Sequence, residues 1–140
     1  MKKTNEVSKL TGVSRRTLQY YDDEGLLAAE RSANNYRLYD QQALEKIWEI
    51  LVYKEMNFEL REIRYLFGLP ESQKQRYLEK QMKTLENQII DLKVQIGFIS
   101  FVKVRGMPPL PAEGCGKTYL NCIAQLREEM RSELTGGKEK

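Results

Sequence analysis

Apolar positions near the start of the chain fall into two pairs at helical spacing, each followed by a glycine. The pairs are Val7 with Leu10 and Leu18 with Tyr21. Residues three or four apart share one face of a helix, and glycine favours the left-handed conformation in which many helices end. The pattern therefore predicts two short helices joined by a tight turn, with Ser14 as the cap of the second. Two helices arranged in this way form a helix-turn-helix.

The apolar pattern then changes to a period of two, which is typical of extended strands. Short extended runs flank Asn34 and Asn35, and both belong to a residue type that tolerates positive φ in a hairpin turn. Residues 36–39 continue the alternation on the second strand. A β-hairpin is therefore predicted beside the helix-turn-helix, as the wing of a winged domain.

Two further helices are predicted to complete the core of this domain. Asp40 can cap the third helix, and Pro70 interrupts the fourth. The positions expected to face the core are Leu44, Ile47, Trp48, Leu51, Val52, Leu60, Ile63, Leu66 and Phe67. Residues 1–70 therefore supply apolar material for a small core of their own.

A long amphipathic helix is predicted from Ser72 to about Arg105, opened by a capping box formed by Ser72 and Gln75. Its apolar positions alternate spacings of four and three, which is the seam of a coiled coil. The seam positions, predicted to form the dimer interface, are Leu78, Met82, Leu85, Ile89, Leu92, Ile96 and Ile99. No other stretch of the chain is long enough to cover them, so the simplest partner is a second copy of the chain in a homodimer.

The remaining residues begin with a glycine- and proline-rich segment and continue with helical apolar spacing over residues 118–134. Together the elements predict a mainly α protein in three parts. Residues 1–70 are expected to form a winged helix-turn-helix DNA-binding domain, residues 71–105 a coiled-coil dimerisation helix, and residues 106–140 a loop and short C-terminal helix. The third part is a candidate effector region.

Composition removes several classes of chemistry. The chain has no histidine, which excludes histidine-dependent hydrolases and imidazole zinc sites. It shows no paired-carboxylate motif and no phosphate-binding glycine loop, so we expect it not to be an enzyme and to use no cofactor. No window is apolar enough for a membrane span, and the polar start does not fit a signal peptide. The expected location is the cytoplasm, with no membrane partner.

Charge is nearly balanced overall, with 23 Lys and Arg against 20 Asp and Glu, but it is unevenly distributed. Residues 14–21 carry Arg15 and Arg16 with no acid, and residues 31–39 carry Arg31 and Arg37 with no acid. These two basic islands fall on the second helix and on the wing. They indicate contacts with nucleic-acid phosphates.

The runs at residues 7–21, 25–27 and 34–39 together closely resemble the MerR family of transcription regulators, and residues 57–63 look like the family's turn into the fourth helix. The resemblance covers about residues 4–68. It implies a homodimer, joined by an antiparallel coiled coil, that binds double-stranded promoter DNA where RNA polymerase also binds. It further implies that an effector bound near the coiled coil drives bending and untwisting of the promoter spacer.

The family's DNA-contacting positions carry over onto the second helix and the wing. They are Ser14, Arg15, Arg16, Thr17, Gln19 and Tyr20 in the helix, and Arg31, Asn34, Tyr36, Arg37 and Tyr39 in the wing. Lys54, near the end of the third helix, is a further expected phosphate contact. Gln19 replaces an arginine found in many members, which removes one charge-assisted contact. We expect Tyr20 to face DNA and Tyr21 the core, although the pattern also fits the reverse.

Several alternatives stay open at this stage. Cys115 and Cys122 could hold a soft metal such as Cu(I), act as a thiol switch, or have no chemical role. A small organic effector lodged between the coiled coil and the terminal helix is preferred to a metal. The alternative function is an excisionase-like architectural protein that bends DNA, against which the long dimerisation helix argues. The sequence leaves open the operator, the effector and the direction of regulation.

Overall fold

A computed structural model describes residues 1–136 of the chain. Its elements, in chain order, are β1 (Lys2–Lys3), α1 (Thr4–Thr11), α2 (Arg15–Asp23), β2 (Glu30–Arg31), β3 (Arg37–Tyr39), α3 (Gln41–Glu55), α4 (Leu60–Phe67), α5 (Glu71–Arg105) and α6 (Tyr119–Thr135). This order is that of a winged helix-turn-helix followed by a long helix and a shorter one, which confirms the predicted fold class. The last residues of the predicted C-terminal part, 137–140, lie outside the described range.

The chain divides into two compact units, Met1–Tyr77 and Leu78–Lys140. The sequence placed boundaries after residues 70 and 105, at the two ends of the long helix. In the structure the division falls inside α5, so this helix contributes its first turns to the first unit and its remainder to the second.

Local signals in the sequence explain how the helices of the first unit begin and end. The Ser14 hydroxyl accepts a hydrogen bond from the Thr17 amide at 3.1 Å, and an Asp40 carboxylate oxygen accepts one from the Ala43 amide at 2.8 Å. Both residues cap their helices as predicted. Gly12 follows α1 with φ of 79°, a conformation that glycine adopts without steric penalty.

The wing is a small antiparallel sheet with the strand order β1-β3-β2. Strands β2 and β3 form the predicted hairpin, with Asn35 at φ of 68° in the turn. Strand β1 pairs with β3, so that Lys2 lies opposite Tyr39 and Lys3 opposite Leu38. Strand β1 was not predicted, because two lysines carry neither alternation nor β propensity.

The core of the first unit lies between α1, α2, α3, α4 and the sheet. Its buried apolar residues are Val7, Leu18, Tyr21, Leu26, Leu27, Tyr39, Ala43, Ile47, Ile50, Phe58, Ile63 and Leu66. The prediction that Trp48 belongs to this core is wrong, since its side chain is 68% exposed. The buried face of α3 runs through Ala43, Ile47 and Ile50, and Trp48 lies about 100° around the helix from Ile47.

The start of α5 differs from the prediction by one residue. The helix begins at Glu71, so Ser72 lies inside its first turn and does not cap it. The predicted capping box is therefore wrong. Gln75 instead donates a hydrogen bond from Nε2 to a carboxylate oxygen of Glu71 at 2.9 Å. The predicted end of the helix at Arg105 is confirmed, and Gly106 follows it with φ of 85°.

In the second unit, α6 packs against α5 at close range. A Cβ added at Gly97 would lie 3.2 Å from Sδ of Met130, and Arg131 donates a hydrogen bond to the Asp91 carboxylate. The residue of α5 that this unit buries is Val94, which is 4% exposed. Helix α6 thus occupies a different face of α5 from the predicted seam.

Among residues 1–136, no helix is both long enough and apolar enough to cross a membrane.

Candidate nucleic-acid interface

Helix α2 separates its residues into an outer face and a buried face. Arg15, Arg16 and Gln19 are exposed, and Tyr20 is 49% exposed, whereas Tyr21 is 3% exposed. The outward position predicted for Tyr20 and the inward position predicted for Tyr21 are confirmed. Burial raises the pKa of the Tyr21 hydroxyl, which keeps it neutral within the core. The outer face is therefore polar and cationic, and the buried face anchors it rigidly.

Two of the predicted contacts, Ser14 and Thr17, are also engaged in starting this helix. The Ser14 hydroxyl donates a hydrogen bond to Oγ1 of Thr17 at 2.9 Å while it accepts one from the Thr17 amide. This mutual arrangement fixes the N-terminal turn of α2. The backbone that carries Arg15 and Arg16 is thereby fixed as well.

Hydrogen bonds across the wing turn hold its tip closed. The Ser32 amide donates to the Tyr36 carbonyl at 2.8 Å, and the Tyr36 amide donates to the Ser32 hydroxyl at 3.1 Å. The Arg31 guanidinium donates to the Asn35 carbonyl at 3.1 Å. Tyr36 is 59% exposed and Asn34 is also exposed, so the tip presents both side chains outward.

Tyr39 does not belong to this surface. Its side chain is 1% exposed and lies in the core, so the prediction that it contacts DNA is wrong. Successive residues of a strand point to opposite faces, and Tyr39 lies on the face of β3 that is directed into the core. Burial also raises the pKa of its hydroxyl, which excludes a charged role near neutral pH.

Arg37 forms an unexpected brace between the wing and α2. Its Nε donates to Asp22 Oδ2 at 2.8 Å and its Nη2 to Asp23 Oδ1 at 3.1 Å, and the side chain is only 16% exposed. The hydrogen bond to Asp22 is the main cause of the raised pKa of Arg37. Asp22 also accepts a hydrogen bond from the Ala29 amide at 3.3 Å. The sequence could not reveal this brace, because Asp23 and Asp22 lie 14 and 15 residues before Arg37 along the chain.

An open concavity of about 670 Å³ lies between the N-terminal end of α1, helix α2 and the wing. It brings together five of the predicted contacts, Arg15, Gln19, Arg31, Tyr36 and Arg37, and adds Lys3, which the sequence did not single out. The other predicted contacts, Ser14, Arg16, Thr17, Tyr20, Asn34 and Lys54, lie outside its lining. We call this surface the wing concavity. Its shape and cationic lining fit the backbone of a nucleic acid.

The two cysteines belong to the second unit. Cys115 is exposed, and its thiol donates a weak hydrogen bond to the Lys117 carbonyl at 3.7 Å, whereas Cys122 lies half-buried in α6. Within residues 1–136, no group of three or more Cys, Asp or Glu side chains is placed to hold a metal ion.

Comparisons with known proteins point to one family. Residues 3–39 match the family described as MerR family regulatory protein. The nodulation protein NolA of Bradyrhizobium elkanii is 42% identical over 60 residues, which are 42% of this chain and 27% of NolA. The HTH-type transcriptional activator TipA of Streptomyces coelicolor is 36% identical over 85 residues, which are 60% of this chain and 34% of TipA. The chain thus spans about a quarter to a third of the length of these relatives.

Among solved structures, the chain is similar to MtaN, the N-terminal part of the multidrug transporter activator of Bacillus subtilis. The two are 31% identical, with a TM-score of 0.67, and the similarity covers 71% of this chain and 95% of MtaN. The likeness therefore extends beyond the residues of the family match.

Proposed function

The chain belongs to the MerR family of regulatory proteins, and from that premise we propose that it is a transcriptional regulator that binds promoter DNA through α2 and the wing. The observation that carries the proposal is the wing concavity, where Arg15 and Gln19 of α2 face the same space as Arg31 and Tyr36 of the wing. A recognition helix enters the major groove while a wing holds the flanking backbone. A protein with this function acts at the chromosome, so the proposal includes a cytoplasmic location.

Replacing Arg15 with alanine is expected to weaken binding to the operator by about tenfold, since a lost guanidinium contact to a base or phosphate is worth roughly 1–3 kcal/mol. The operator is first located by footprinting the DNA upstream of the protein's own gene. Affinity is then measured by fluorescence anisotropy on the protected duplex.

Lys9→Ala is the matched control for Arg15→Ala. Lys9 is an exposed cation at the end of α1 and does not line the wing concavity, so its removal should change affinity less than twofold, by the small effect expected of an exposed charge outside the contact surface. Equal losses from the two variants would mean that binding depends on overall charge, and the assigned interface would then be wrong.

The brace at Arg37 allows a test in which the loss of bracing and simple electrostatics change the affinity for DNA in opposite directions. Asp22→Asn removes a negative charge near the DNA-binding surface, which by simple electrostatics should strengthen binding. We expect the opposite, a loss of about threefold to tenfold, because the wing loses its anchor to α2. The measurement is anisotropy with operator duplex.

Glu30→Gln makes the same change of charge at an exposed side chain of β2 that takes no part in the brace, and so controls for electrostatics alone. If Asp22→Asn instead raises affinity, Arg37 acts mainly as a phosphate contact that Asp22 restrains. In that case the bracing role would be rejected.

The proposal also includes a homodimer formed along the seam of α5. Met82, Ile89, Leu92, Ile96 and Ile99 are between 52% and 67% exposed in the single chain, while Leu78 and Leu85 are half-buried. Helix α6 packs on the face of α5 that carries Val94 and Gly97, and it leaves these seam positions uncovered. A second copy of the same helix supplies the complementary face.

The proposed mechanism also includes a bound effector, RNA polymerase at the promoter, and distortion of the promoter DNA. An open groove of about 570 Å³ between α5 and α6 is lined by the apolar side chains of Phe101, Val104, Leu126 and Met130 together with Glu129 and Glu133. Its size and mixed lining fit a small organic effector better than a metal ion. Such a ligand would favour the DNA-distorting state only through a difference in its affinity for the two states.

A further inference from the structure

The N-terminal strand β1 is built into the wing and is not a loose leader to α1. Its backbone pairs with β3, with Lys3 opposite Leu38. The amide of Lys3 also donates a hydrogen bond to a carboxylate oxygen of Glu6 at 2.8 Å, which fixes the start of α1. The backbone of Lys3 is therefore held between the sheet and the first helix. A side chain that leaves such a fixed backbone has a restricted range of positions.

The Lys3 side chain is directed at the wing. Its Nζ lies 5.5 Å from the centroid of the Tyr36 ring, within the range of a cation–π interaction. Tyr36 is itself 59% exposed, so the ring supports the ammonium group without enclosing it. Within residues 1–136 this ammonium group forms no ion pair. Its charge therefore faces solvent on the surface where Arg15 and Gln19 also lie.

The other charges of the wing concavity make the Lys3 ammonium group important for binding a phosphate. Arg37, although it lines the same space, is neutralised by Asp22 and Asp23. Position 19 carries an uncharged glutamine. Among the described residues, the lining thus has three cations without an acidic partner, Lys3 of the sheet, Arg15 of the recognition helix and Arg31 of the wing, beside one acid, Glu6.

We propose that Lys3, held against Tyr36, binds a backbone phosphate of duplex DNA and fixes the position of the wing along the groove. This assignment rests on the proposed function, since it adds a contact to the same DNA-binding surface. Lys3 donates up to three hydrogen bonds to phosphate oxygens and reads no base. It contributes affinity and register, whereas base discrimination belongs to α2.

The chain provides a matched control in the adjacent residue. Lys2 is also an exposed lysine on β1, but neighbouring residues of a strand point to opposite faces, and Lys2 does not line the wing concavity. Lys2→Gln and Lys3→Gln therefore remove the same charge from the same strand on opposite faces. Neither substitution touches the backbone pairing with β3, so both variants should fold.

The test measures affinity for a random-sequence duplex by fluorescence anisotropy over a range of salt concentrations, with protein that carries no N-terminal tag. Lys3→Gln is expected to lower affinity by roughly threefold to tenfold at low salt and to reduce the slope of log K against log salt by about 0.9 for each bound protomer. Lys2→Gln should leave the slope unchanged, and Lys3→Arg should restore it. In a Tyr36→Leu background the effect of Lys3→Gln should shrink, because the ammonium group has lost its support.

Equal slopes for Lys3→Gln and Lys2→Gln, in a protein whose binding still depends on Arg15, would overturn the role of Lys3 and leave the proposed function intact. Absence of salt-dependent duplex binding by the unmodified protein would reject both. A reduced slope for Lys3→Gln that Tyr36→Leu does not alter would keep the phosphate contact and reject its support by the ring.

Discussion

Replacing Leu85 and Leu92 with aspartate is expected to convert the protein from a dimer to a monomer and to weaken operator binding by more than about a hundredfold. Two carboxylates placed about two helical turns apart on an apolar seam would be buried in the interface together with the same groups of the second copy. Burying an ionised carboxylate without a partner costs several kcal/mol, and the dimer would bury four of them in place of four leucines. A monomer then binds one half-site and loses the second set of contacts.

Sedimentation velocity measures the oligomeric state, and circular dichroism checks that α5 remains helical. The control is Thr84→Asp with Asn87→Asp, which adds two charges at exposed positions of the same helix that lie off the seam. This control should remain dimeric and bind the operator. A dimer that survives substitution at Leu85 and Leu92 would show that the seam is not the interface.

Replacing Ile47 with alanine is expected to lower the free energy of unfolding of the first unit by about 2–5 kcal/mol. Ile47 is 0% exposed and lies on the buried face of α3, between Ala43 and Ile50. Removing its side chain leaves a cavity that the surrounding helices cannot fill completely. For a unit of this size, each kcal/mol corresponds to roughly 4–8 °C in the unfolding temperature, so the transition should shift far enough to be resolved by thermal circular dichroism.

The adjacent residue provides the comparison. Trp48→Ala removes a larger apolar side chain, yet its exposure of 68% predicts a change of less than about 0.5 kcal/mol. A size-based expectation would rank the two substitutions in the opposite order. If Trp48→Ala proves as destabilising as Ile47→Ala, then Trp48 is covered in the assembled protein, and the exposed face of α3 is part of an interface.

Local chemistry made much of the fold predictable from the sequence. Ser14 and Asp40 cap helices because their side-chain oxygens satisfy backbone amides only three residues away, and Asn35 adopts positive φ in a turn of four residues. The seven-residue repeat of α5 and its end at Arg105 are likewise properties of a single helix. Signals of this kind depend on a few neighbouring residues, so they can be read without knowing the fold.

The functional surface was only partly predictable. The basic residues of α2 and the wing were found from their clustering and from the family resemblance, and Arg15, Arg31 and Tyr36 do share the wing concavity. Lys3 was missed because a lysine before the first helix carries no periodic signal. Its place beside Tyr36 depends on the pairing of β1 with β3, which joins residues more than 30 positions apart.

The sequence by itself determined the order of the helices and of the wing hairpin, the caps that start α2 and α3, the wing turn and the apolar repeat of the long helix. Only the tertiary structure decided which tyrosine of the wing is buried, which face of α3 enters the core, and that Arg37 pairs with Asp22. The reason is that helix and strand periods fix which residues share a face, whereas packing between elements decides which face is covered. The packing between elements therefore sets which residues are buried and which form ion pairs. Contacts between distant parts of the chain determine that packing.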